Sequence, residues 1–172
     1  SNKYFTTPIY YVNDKPHIGH AYTSIAVDIL KRFYSCRGLN SYFLTGTDEH
    51  GQKVEKAALE KNIDPQQFTD TVSENFRDLS SLLNLSNDDF IRTTEERHKK
   101  SVQYLWEILL EKDEIYLSKY SGWYSVRDEA YYDKEEIEEK DGKKISKSSG
   151  SLVEWVEEES YFFKLSSWQK NY

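Results

Sequence analysis

The chain has 172 residues, 23 lysines and arginines against 30 aspartates and glutamates for a net charge of −7, and one cysteine, Cys36. That length suits one domain of about 150 residues, or one carrying an insertion. No run approaches the roughly 18 apolar residues of a membrane span, the opening Ser1-Asn2-Lys3-Tyr4 lacks a signal-peptide pattern, a lone cysteine excludes an intrachain disulfide and suits a reducing cytosol, and the negative balance does not mark a nucleic-acid binder.

Tyr4 to Thr7 is aromatic and β-branched and Pro8 stops it, which predicts a short strand followed by a loop with turn chemistry at Asn13-Asp14-Lys15-Pro16. From Ile18 to Arg37 the apolar positions Tyr22, Ile25, Ala26, Ile29, Leu30 and Phe33 follow helical spacing, with Lys31 and Arg32 near the end and Gly38 just beyond. Ser41 to Thr45 reads as a second strand and Gln52 to Lys61 as a second helix. Strand, helix, strand, helix is the order of a parallel α/β sheet. Asp64, Pro65 and Gln67 supply an N-cap, an N1 proline and a capping-box partner for a helix to about Asn84. Phe90-Ile91-Arg92 is a strand candidate, and a Thr93/Glu96 capping box leads a helix with the stripe Val102, Leu105, Trp106 and Leu109. All four tryptophans lie beyond residue 100, where net charge also falls, so composition places a boundary near residue 113. Beyond it, Tyr116–Tyr120, Trp123–Val126, Glu129–Tyr132 and Tyr161–Leu165 predict a small antiparallel insertion, with Glu135 to Glu139 solvated. The expected organisation is residues 1–113 and then 114–172.

Two loops carry chemistry. His17-Ile18-Gly19-His20 stands where a strand's loop enters a helix, and there free backbone N–H groups and the positive helix end form an anion site. Gly19 lets a nucleotide lie against the backbone, and two histidines can donate to phosphate oxygens. Gly46-Thr47-Asp48-Glu49-His50-Gly51 follows the second strand, on the same rim, and a carboxylate there can pair with a substrate ammonium.

Thr6 to Tyr22, with the HIGH tetrapeptide inside it, and Phe43-Leu44-Thr45-Gly46-Thr47-Asp48-Glu49-His50-Gly51 together resemble the N-terminal catalytic half of bacterial methionyl-tRNA synthetases, which are class I aminoacyl-tRNA synthetases. Phe90 to Thr94, Gly122 to Glu129 and Glu159 to Leu165 extend that resemblance into the family's connective insertion. The resemblance implies an α/β fold, the first half of a Rossmann-type catalytic domain followed by a connective insertion with antiparallel strands. It implies a cytoplasmic ligase that forms methionyl-adenylate from methionine and ATP, with Mg²⁺ accompanying ATP, and then charges tRNA(Met). Carried over by position, His17 and His20 are catalytic and hold ATP together with Gly19, Ile9 and Tyr11 line the methionine site, and Asp48 binds the methionine amino group. An apolar wall suits a thioether, and a fixed carboxylate orients the amine.

Three departures from the family pattern follow. The cysteine knuckles of zinc-bearing relatives are missing, which implies a zinc-free protein with no metal site. The second half of the Rossmann domain, with its lysine-rich phosphate loop, is also missing, so the chain reads as a fragment with little activity of its own. Lys144-Ile145-Ser146-Lys147-Ser148 resembles that loop with Ile for Met, but it follows a glutamate-rich stretch rather than a sheet strand and is read as a solvated turn. The rival readings are a small nucleotidylyltransferase with the same histidine motif, and a non-catalytic module that binds tRNA or protein.

Overall fold

The computed structural model describes residues 2–169. They form two compact units, one running to Gln103 and the other starting at Tyr104. The first unit contains β1 (Lys3–Thr6), β2 (Tyr10–Tyr11), α1 (Ile18–Cys36), β3 (Ser41–Asp48), α2 (Gln52–Glu60), α3 (Pro65–Leu82), β4 (Asp89–Arg92) and the first turns of α4 (Glu96–Glu111). All its strands are parallel, as the alternating pattern predicts. β3 is central. β4 takes one edge from Leu44 to Thr47, which leaves β1 and β2 in succession along the other. Pro8 does end the first strand, yet the chain resumes pairing two residues later, giving β2 a place that the sequence reading assigned to loop.

The core lies against α2 and α3, where Tyr10, Val12, Val54, Ala58, Phe68, Val72, Phe76 and Phe90 pack together. Asp64 caps α3 as expected, accepting from the N–H groups of Gln66 and Gln67. The Thr93/Glu96 capping box does not form: α4 begins at Glu96 itself, and the Thr93 hydroxyl is taken by the N–H of Glu49.

α1 departs further from expectation. Its buried positions are Ser24 and Asp28, whereas Tyr22 is 77% and Ile29 60% exposed. Asp28 accepts from the Ser86 N–H and hydroxyl and from Arg32. Burial alone pushes the Asp28 carboxyl up, but those hydrogen bonds outweigh it and hold the group below its usual range. Lys31 and Arg32 reach the Ser86 and Asn84 carbonyls rather than serving the helix end. Periodicity identifies which residues share a face; the partner decides which face is covered.

The second unit is antiparallel: β5 (Ile115–Ser125) lies between β6 (Ala130–Tyr132) and β9 (Glu154–Phe163), and β7 (Ile137–Lys140) pairs with β8 (Lys143–Ser146). The two aromatic pieces read before residue 126 are one eleven-residue strand. The glutamate-rich stretch is exposed as expected but belongs to the β7–β8 hairpin, turned at Asp141-Gly142 with both φ angles positive. Lys144 to Ser146 are strand residues, Lys144 stacks over Trp123, and Ser146 is fully buried, so this segment is structural rather than a free turn.

Candidate active site

Between β2 and the start of α1 lies an open cleft of about 460 Å³, lined by Pro8, Ile9, Tyr10, Tyr11, Asn13, Asp14, Lys15, His17 and His20. It sits at the carboxyl ends of the parallel strands, where ligands gather in such sheets. Four of the sequence-predicted residues therefore share one cleft. Asp48 does not line it, but it is the bridge partner of Tyr11 across β2 and β3, one strand spacing away.

The two histidines do something the sequence reading did not foresee. The His17 N–H donates to His20 Nδ1 at 3.0 Å, and the Gly19 N–H donates to His17 Nδ1 at 3.1 Å. Together they form a reciprocal capping box on α1. The N–H groups of His17 and Gly19 are thus taken by the two rings and are not free backbone donors at this helix start. A ring that accepts at Nδ1 carries its proton at Nε2, so each neutral imidazole keeps one outward donor. Burial, and then the neighbouring charge of His17, hold the His20 pKa below its ordinary 6.5. The centroids of the two rings lie 3.9 Å apart with the planes tilted by 33°, and His20 makes edge contacts with Tyr10 and Phe76.

Gly19 has a local reason. A Cβ there would stand 2.9 Å from His17 Cε1, so the missing side chain makes room for the capping ring. Tyr10, which the sequence reading passed over, is 8% exposed, and its hydroxyl bonds with Ser24 at 2.9 Å. It ties the cleft floor to α1. The alternation of Tyr10 in and Tyr11 out was the available signal.

Across β3, Thr47 is fully buried and Glu49 is 3% exposed, while Asp48 between them is half-buried. No side-chain hydrogen bond or ion pair joins Asp48 to another described residue, and its backbone is paired with Tyr11 in the ladder. Glu49 accepts from Thr47 at 2.8 Å, from Arg92 Nε at 2.8 Å and Nη2 at 3.0 Å, and from Thr94. Glu49, followed by burial working the other way and then Asp70, sets the Arg92 guanidinium, whose proton is held more tightly than usual. Glu49 and Arg92 are 43 residues apart, and no local pattern could have joined them.

Among the described residues no group of three or more His, Cys, Asp or Glu is placed to hold a metal ion. The second unit contains neither Cys nor His.

A parallel α/β unit with a histidine-capped helix at its rim, joined in sequence to an antiparallel unit, defines a class I synthetase-like catalytic portion. The chain belongs to the family described as tRNA synthetases class I (M), which it matches over residues 3–143. It is 63% identical over 166 residues to the methionine–tRNA ligase of Rickettsia typhi and 52% identical over 167 residues to that of Brucella melitensis, covering 96% of this chain and 32% of each relative. In structure it resembles Mycobacterium tuberculosis methionyl-tRNA synthetase in complex with methionyl-adenylate, with a TM-score of 0.87 and 41% identity, over 99% of this chain and 33% of that one. The chain thus spans about a third of the length of the relatives it matches.

Proposed function

We propose that the chain contributes the methionine- and ATP-binding rim of a methionine–tRNA ligase, with residues 1–113 as the Rossmann-type half and 114–172 as the connective insertion. The observation that carries this reading is the single cleft that gathers Ile9, Tyr11, His17 and His20, with Asp48 paired to Tyr11 beside it. In this reading Ile9 and Tyr11 contact the thioether, and Asp48, whose side chain has no partner among the described residues, takes the methionine ammonium. The methionine carboxylate attacks the α-phosphate of ATP, pyrophosphate leaves, and the Nε2–H groups of His17 and His20 donate to the oxygens on which charge develops. Gly19 serves ATP binding by seating the His17 ring. The methionyl group then passes to the terminal hydroxyl of tRNA(Met), in the cytoplasm. Mg²⁺ accompanies the ATP phosphates, and the protein works without zinc. No helix among the described residues is long and apolar enough to cross a membrane. Family membership leaves the small nucleotidylyltransferase without support.

The test is methionine-dependent exchange of pyrophosphate into ATP by the full-length protein. Exchange supported equally by valine or cysteine would overturn the reading.

A further inference from the structure

The least explained group in the first unit is the carboxylate of Glu49. Its side chain is fully enclosed, and it lies directly beside the proposed methionine site. Burying an ion pair removes two charges from water, and apolar residues of similar volume usually serve stability as well or better. A buried pair that is fully hydrogen-bonded does something that apolar packing cannot: it fixes direction. Here the Glu49 carboxylate, one residue beyond β3, accepts from Thr47 of that strand, from Nε and Nη2 of Arg92 in β4, and from Thr94 beyond β4. Its N–H goes to the Thr93 hydroxyl at 2.9 Å, and His50 Nε2 lies 3.3 Å from the Thr93 carbonyl. The carboxyl ends of β3 and β4 are thereby tied at the point where β3 stops. Side chains alternate along a strand, so clamping Thr47 and Glu49 into one face leaves Asp48 on the other, the face shared with its partner Tyr11.

We propose that Glu49 is a positioning residue for the methionine amino group: its clamp with Arg92 and Thr94 holds the Asp48 carboxylate in place without touching substrate. This rests on the methionine reading of the site. A carboxylate without a protein partner binds an ammonium tightly only if it is already aimed, because ordering it at the moment of binding subtracts from affinity.

The test is Glu49→Gln in the full-length protein, measured by methionine-dependent pyrophosphate exchange with separate KM values for methionine and ATP, alongside thermal unfolding. The expected result is a methionine KM raised about tenfold or more, as for loss of a well-aimed charged hydrogen bond, with the ATP KM within about twofold. Thr94→Val and Arg92→Lys repeat the test if Glu49→Gln does not fold; each should raise the methionine KM severalfold and leave the ATP KM in place. Lower thermal stability with an unchanged methionine KM, or equal rises in both KM values, overturns the proposal and makes the clamp structural only. Failure of the unsubstituted protein to exchange with methionine overturns the functional reading instead.

Discussion

On His17 and His20, Nδ1 closes the start of α1, and in the proposed reading Nε2 of the same ring donates to phosphate. His20→Ala in the full-length protein should therefore lower the activation rate by roughly a hundredfold or more, the scale for losing a donor aimed at developing charge, with methionine affinity little changed. Asp48→Asn should act on the other substrate and weaken methionine binding by about 1.5–3 kcal/mol, read as its KM in the same exchange assay. The capping role also fixes a pH dependence. The His20 ring must be neutral to accept at Nδ1, and its pKa is lowered in the fold by burial and then by His17. The unfolded chain thus takes up the proton first, so the cap's contribution is complete above about pH 6.5 and declines below it. Thermal unfolding between about pH 7 and pH 5 should show a shallower loss of stability in His20→Asn, whose amide can still cap but does not titrate.

At the scale of elements, β3 is held by what it lacks. A Cβ on Gly46 would lie 1.9 Å from the Ile91 carbonyl oxygen of β4, with backbone rather than a movable side chain in the way. Gly46→Ala should open the β3–β4 ladder and destabilise the first unit by about 3 kcal/mol, the upper end of overpacking costs, seen as a lower urea midpoint. In the second unit Asp128 draws hydroxyls from Ser149, Ser151 and Tyr132, which hold its carboxyl well below the usual range. These contacts tie the β5–β6 turn to the segment between β8 and β9. A depressed carboxylate contributes stability that is present above its unfolded pKa of about 3.9 and lost as pH falls toward the folded value. Asp128→Ala should therefore unfold the second unit at lower denaturant concentration, followed by tryptophan fluorescence at neutral pH.

At the scale of the molecule, the described residues hold the rim proposed to bind methionine and ATP, and no lysine loop launched from a parallel strand. The only segment that resembles such a loop is built into the β7–β8 hairpin, with Lys147 donating to the Glu135 carbonyl. We expect residues 1–172 by themselves to be nearly inactive in pyrophosphate exchange while the full-length protein turns over; robust exchange by the shorter chain would show that the hairpin, or another group here, supplies the phosphate contacts. Ile29 and Phe33 on α1 and Val102 and Leu105 on α4 are half or more exposed.

The sequence by itself determined the main strands and helices of the first unit, the parallel and antiparallel halves and the cap at Asp64, because these depend on periodicity, caps and turn residues within a few positions of one another. It also located the residues that share the cleft, since they lie within one short segment around the β2 loop. Only the tertiary structure decided that α1 buries Ser24 and Asp28 rather than its apolar stripe, that β2 rejoins the sheet after Pro8, and that Thr93 serves Glu49 instead of α4. Each of these is a competition for one partner between local and distant groups. Glu49 and Arg92 meet because parallel pairing sets β4 beside β3, and a contact across 43 residues exists only once that register is fixed.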